Sequence, residues 1–544
     1  MLTQLLDVFG FLSVLLRGGA LALQSLVLGG VLFRCWVLRP AQGLWRDKGI
    51  AQSCRRLTFW SAMGLAIMEL FYVFTSAAIL MGTTGLTMQD VVGAHFFIAG
   101  VAAAGAAAIV VAAITRPKHV SAVLLAASVV ILSAFVMTSH AAGRMEHRPM
   151  LIGLTAMHQA ATAAWIGGMP YLLLALARSR EVRTAQFICR RFSRLATLSL
   201  MVLVGAGWGM SLVYVGSADA AYGTTYGVML VSKIVLLSVL LVLGSLNFLI
   251  VCRLPVDAAG SLPCLRRFAE AELGIGFTLI LAAASLTSQP PATDLISGRV
   301  HAAEIAARIS PRWPRLVTPD RSALSPASAL DWSPYGTRQS GLQSFVPGAS
   351  LHANGPGDIA WSEYNHHWAG LIVLSAGLLA VMARSSHAAW GRHWPLAFLG
   401  LAVFLFLRAD PENWPLGPRS FWQSFAVADV LQHRLFVVLI VAFSIFEWTV
   451  QTGRTFGRAA LVFPAVCAAG GALLLTHSHS LGNVKEELLV EVSHIPLAIL
   501  GVTAGWARWL ELRLPSDRPR YILAGVWPVC FVLIGVVLLN YRES

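Results

Sequence analysis

Long uncharged runs alternate along the chain with short connections that carry arginine, proline or glycine. The runs begin near residues 18, 58, 91, 120, 151, 195, 227, 270, 365, 394, 425, 459, 489 and 521. Each approaches the roughly 20 apolar residues a helix needs to cross a hydrocarbon core, so the pattern predicts about fourteen spanning helices. Uniform runs of this length exclude a membrane β-barrel, whose strands alternate apolar and polar positions. The predicted class is all-α, a polytopic helical membrane protein with the lipid bilayer as its partner.

One segment breaks the rhythm. Residues 289–364 hold nine prolines, many serines and mixed charge, with no apolar run long enough to cross. They predict a loop or linker between an N-terminal bundle, 1–288, of about eight spans and a C-terminal bundle, 365–544, of about six. Within the linker, 299–308 has the pattern of a short amphipathic helix.

Composition agrees with the pattern. The chain is 57% hydrophobic and 12% charged, where soluble domains carry about 25% charge, and this excludes an ordinary water-soluble enzyme. The formal charge of +14 would elsewhere suggest nucleic acid, but here it is a matter of topology and no nucleic-acid partner is expected. Arginines crowd every second connection: Arg39, Arg46, Arg55 and Arg56, then Arg116, then Arg178 to Arg194, then Arg253 to Arg267, then Arg384 and Arg392, then Arg454 and Arg458, then Arg508 to Arg520. The positive-inside rule turns these loops toward the cytoplasm and both termini outward. Nothing at the N-terminus reads as a cleaved leader, so the first apolar run is taken as retained. The seven cysteines form no CxxC pair and imply neither a zinc nor a disulfide framework.

On this topology twelve of the fifteen histidines fall on the outer side. His95, His140 and His158 occupy three consecutive spans at intervals of 45 and 18 residues, and His433, His477 and His494 occupy three more at 44 and 17. The text AspValValGlyAlaHis at 90–95 echoes AspValLeuGlnHis at 429–433. The recurrence suggests an internal duplication whose copies share one orientation. A single intramembrane imidazole most often satisfies a backbone carbonyl or packs between helices. Three at similar depth on adjacent helices supply the ligand number of a transition-metal site instead. Outer methionines, Met81, Met88, Met145, Met150 and Met157, add soft donors that favour copper, although methionine is also a common gap-filler.

Further donors lie near the start of the second bundle. In TrpSerGluTyrAsnHisHisTrp at 361–368, a helix would display Glu363 beside His366 and His367. Asp410, Glu412 and the pair His477 and His479 complete an outer vestibule rich in oxygen and imidazole. Glu69, in an apolar stretch of the second span, is expensive there unless paired or facing a polar path, and it is the candidate for an ion or proton path. Lys233 is read as snorkelling to the interface.

Several stretches then carry a resemblance. HisGlnAlaAlaThrAlaAlaTrpIleGlyGly at 158–168, ArgArgPheSerArgLeuAla at 190–196, ThrThrTyrGlyValMetLeuValSerLys at 224–233, Asn247 and LeuThrSerGlnProProAla at 286–292 resemble the CopD copper-resistance family. The resemblance implies a copper-handling unit in a bacterial inner membrane, with a periplasmic copper-binding protein as partner. It matches His140, His158, Trp165, Gly167 and Gly168 to an outer motif, and Tyr226, Gly227, Lys233 and Asn247 to a motif of the seventh span. The expected function is copper transport or copper handling, with a copper ion as the bound metal. Two alternatives stand beside it: copper delivery to an oxidase without translocation, and electron transfer through haem b held by paired histidines. Neither a nucleophile elbow nor an HExxH motif is present, so no enzyme is expected.

Overall fold

In the computed structural model 85% of the described residues are helical, and they contain no β-strand. The structure describes residues 2–41, 48–116, 121–179, 181–254, 258–295, 298–324, 355–425, 428–476, 484–515 and 517–543. Thirteen helices among them are long and apolar enough to cross a membrane, and Ser121–Met137 adds a shorter apolar one. All fourteen runs read from the sequence coincide with these helices. The chain is a multi-pass membrane protein. It divides into two compact units, Met1–Ser297 with Thr476–Ser478, and Gly298–Leu475 with His479–Ser544.

The first unit contains α1 (Leu2–Phe33), α2 (Lys48–Thr84), α3 (His95–Ile114), α4 (Ser121–Met137), α5 (Arg148–Arg178), α6 (Val182–Tyr214), α7 (Thr225–Arg253) and α8 (Ala258–Ser288). Its tightest crossing joins α1 to α5. A Cβ on Gly29 would stand 2.3 Å from the carbonyl carbon of Gly167, and one on Gly167 would stand 1.9 Å from the carbonyl oxygen of Ser25. Only hydrogen fits at both positions, so backbone meets backbone, as small residues allow between membrane helices. α5 widens into a π turn over Ala163–Gly167 at this crossing, and the Tyr171 hydroxyl donates to the Leu26 carbonyl at 2.8 Å. Val27, Leu65, Ala107 and Ile131, all fully buried, form the core around it.

The second unit contains α9 (Pro356–Met382), α10 (His387–Arg408), α11 (Ala428–Gln451), α12 (Gly457–Leu474), α13 (Val484–Arg513) and α14 (Asp517–Leu539). Gly370 and Gly377 on α9 lie against the backbone of α14 around Leu539 and Val532. Trp394, 1% exposed, packs against Phe463, Trp527 and Phe531 at centroid distances of 5.3 to 6.1 Å. The start near 365 read from hydropathy needs correction, because α9 begins at Pro356. Proline is pre-organised for a first helical turn, and the Asp358 carboxylate accepts the Gly355 N–H at 2.9 Å. A polar first turn stabilised by its cap is invisible to a hydropathy scan, and here it carries Ser362 and Glu363 onto the same helix as His366. The amphipathic helix expected around 299–308 is present as Ala302–Ile309.

Candidate metal centre

His366 and His494, which lie 128 residues apart in sequence, meet in the second unit. Their ring centroids stand 6.3 Å apart with planes at 85°. Each ring is held by its own helix. His366 Nδ1 donates to the Ser362 carbonyl at 2.8 Å, and His494 Nδ1 donates to the Val490 carbonyl at 2.9 Å. A carbonyl accepts only, so the proton of each neutral ring belongs on Nδ1 and the lone pair on Nε2, the tautomer that a metal-binding imidazole uses.

Two side chains beyond α14 complete the setting. The Tyr541 ring stacks on His366 with centroids 3.7 Å apart and meets His494 edge-on at 5.7 Å. The Glu543 carboxylate accepts from the Ser362 hydroxyl at 2.6 Å and from the Tyr541 hydroxyl at 2.7 Å. Burial pushes the Glu543 pKa up, but those two donors and the nearby charge of Arg308 outweigh it, and the carboxyl sits below its usual range. Burial, reinforced by Glu543, pushes Tyr541 above the usual phenol range. The result is a carboxylate facing two imidazoles.

The neighbouring donors read from the sequence are engaged elsewhere. His367, 5% exposed, accepts the Arg315 N–H on Nδ1 at 2.7 Å and donates from Nε2 to the Tyr541 carbonyl at 2.9 Å. With both nitrogens used, it ties the backbone at Arg315 to that at Tyr541 instead of binding an ion. Glu363 is ion-paired with Arg315 at 2.7 Å. His433 pairs with Asp410 at 2.8 Å. His477 and His479 lie outside the described residues.

In the first unit the three imidazoles take three different neighbours. His95, the first residue of α3, lines a cavity. His140 packs edge-on against Tyr214 and Tyr226, each at 6.3 Å. His158 turns Nδ1 to the Leu203 carbonyl of α6 at 3.2 Å. The expected convergence of this triplet is not observed. Among the described residues no three His, Cys, Asp or Glu side chains gather into a metal-holding group. Sequence intervals do not fix a residue's neighbours: His140 falls past the end of α4, in the connection to α5, while His95 opens α3 and His158 turns to α6.

Glu69 is 3% exposed, with Oε1 buried and lacking a hydrogen bond among the described residues. It faces α3 at Gly100, where an added Cβ would stand 3.4 Å from Oε2. It has company the sequence reading missed, since Glu272, Glu447 and Glu491 are also buried within spans. At Glu272, 4% exposed, Oε1 accepts the Trp165 indole N–H at 2.8 Å and Oε2 accepts the Asn247 amide. Trp165 and Asn247 stand out in the sequence through family resemblance. Their shared partner was signalled only by an acid inside an apolar run, at AlaGluAlaGluLeu, 269–273.

Residues 187–286, which include Asn247 and Glu272, match the protein family described as "Copper resistance protein D", CopD. A 163-residue stretch is 29% identical to the "Copper transport protein CutJ" of Bacillus subtilis (strain 168), covering 29% of this chain and 29% of that relative. The match therefore spans less than a third of the relative's length. No solved structure matches the chain.

Proposed function

From the premise that the chain belongs to the CopD copper-resistance family, we propose that it handles copper in a bacterial cytoplasmic membrane and moves it across. Copper is the cargo and not a resident cofactor. The proposed orientation follows the arginine-rich connections, which sit at the cytoplasmic end and leave His366 and His494 at the outer end.

One observation carries the reading: His366 and His494 stand 6.3 Å apart in the Nδ1-protonated tautomer, beside the Glu543 carboxylate. An imidazole nitrogen binds a first-row ion at roughly 2 Å, which puts the ring centroids of two such ligands roughly 5–6.5 Å apart. Neutral imidazole suits copper, and a two-ligand site with a neighbouring carboxylate binds firmly enough to capture the ion and loosely enough to release it. The haem reading fares worse here, because Tyr541 stands against both rings and a porphyrin plate would have to displace it. In the first unit, the buried carboxylate of Glu69 is proposed as part of the route for the ion or for protons.

The test is copper titration of the full chain in detergent against a competing chelator. His366→Ala and His494→Ala each weaken copper binding by about tenfold or more, with no Soret band in the purified protein. Unchanged stoichiometry and affinity in both variants would overturn the assignment.

A further inference from the structure

A cavity of about 420 Å³ in the first unit opens at the end of the bundle opposite its arginine-rich connections. Its donors come from four different helices: Arg17 on α1, Tyr72 on α2, His95 on α3 and Arg148 on α5. No lining residue is acidic. Hydroxyls are plentiful but already committed, since Thr138, Ser139, Thr287 and Ser288 each donate to a carbonyl of their own helix.

The four donors have capacity to spare. Arg17 gives one N–H to the Thr138 hydroxyl at 2.7 Å and rests 5.1 Å over the Phe135 ring, but forms no ion pair among the described residues. Arg148, Tyr72 and His95 make no side-chain hydrogen bond or ion pair there. Glu69, behind the lining on α2, lies close enough to Arg17 to interact with its charge, but one carboxyl does not balance two guanidinium groups in a partly enclosed space, and the field at the lining stays positive, which repels a bare metal ion and attracts an anion. Guanidinium presents paired N–H groups in a planar fork that matches phosphate oxygens.

We propose that this cavity is a binding site for a phosphate-type oxyanion, held by Arg17 and Arg148 with Tyr72 and His95 as further donors. The chemistry is shared by a lipid headgroup phosphate and by a free oxyanion. The site is independent of the copper reading, and it assigns His95 to anion recognition.

The test uses the full chain in maltoside micelles, which contain no phosphate, and follows the unfolding temperature at constant ionic strength. One arm adds inorganic phosphate and the other dopes the micelles with phosphatidylglycerol. Near one hundred times Kd, either ligand should raise the midpoint by about 2 °C. Arg148→Gln, at an exposed position without a structural partner, should remove most of that rise, and Arg17→Gln should do the same. A rise with phosphate supports a free oxyanion, and a rise with phosphatidylglycerol alone supports a headgroup. No rise in either arm, or an equal rise in Arg148→Gln, overturns the proposal. Copper affinity should be unchanged in both variants, which separates this site from that of His366 and His494.

Discussion

The two units place their histidines in opposite ways. In the first, His95 and His158 lie on α3 and α5 and His140 on the connection between α4 and α5, and they take separate neighbours: a cavity, a pair of tyrosine rings and a carbonyl of α6. In the second, His366 and His494 come from distant stretches of chain and meet at 6.3 Å. Convergence depends on which way a residue faces around its helix and on what closes over it. α9 and α13 aim their imidazoles inward, and the segment after α14 brings Tyr541 and Glu543 over them. In the first unit the segment after α8 reaches His140 alone of the three, through Gln289 and Asp294.

The strongest way to break this contrast is to remove the pair. The double variant His366→Ala/His494→Ala should lose about 10- to 100-fold in copper affinity, as when a coordinating shell is dismantled. His95→Ala, His140→Ala and His158→Ala should each stay within about twofold of the parent chain, a much smaller change than loss of a shell member brings. A first-unit variant that loses as much as the double variant would reverse the comparison.

A second test asks what the first unit does hold together. Its polar centre is the trio of Trp165, Asn247 and Glu272, drawn from α5, α7 and α8. Asn247→Leu keeps the bulk but strands one carboxylate oxygen inside the membrane, at a cost of about 1–3 kcal/mol. Thermal unfolding in detergent should register that loss as a lower midpoint, and Asn247→Asp should not rescue it, because a second acid would face Glu272. An unchanged midpoint for Asn247→Leu would mean that the trio is not a structural anchor.

What could be read from the sequence follows the same division. Helix number and placement were legible because each run is a sum of about twenty similar residues, and single exceptions do not erase it. The start of α9 was not, since a polar turn fixed by Pro356 and Asp358 has no hydropathy signature. His366 and His494 were legible as candidates, but their partnership was not. Spacing in sequence reports helix membership and depth, whereas the 6.3 Å approach depends on rotation and on Glu543, 49 residues further along the chain than His494. The interval pattern pointed to triplets for the same reason, being sensitive to depth alone. Glu272 escaped because an acid two residues after Glu270 and near an arginine-rich turn resembles an interfacial residue until Trp165 and Asn247 are seen to claim both its oxygens.

The smallest effect concerns His140, and its sign separates a packed imidazole from one poised to bind an ion. Burial holds its pKa below the usual histidine value, with the carbonyls of Leu286 and Gln289 pulling the other way. Its Nε2 is buried with no partner among the described residues, so a proton there would be a donor without an acceptor. The folded chain therefore refuses a proton that the unfolded chain accepts below about pH 6.5. Above that pH neither state is protonated and His140 contributes no pH dependence. As pH falls from about 6.5 toward the depressed folded value, stability falls too, by no more than about 1.4 kcal/mol per pH unit for one proton. His140→Gln cannot titrate, so between pH 7 and 5 its unfolding midpoint should decline less steeply than that of the parent chain. Parallel declines would show that His140 is protonated as readily folded as unfolded, and would place it with the imidazoles that face an acid or water and not with those sealed among tyrosines.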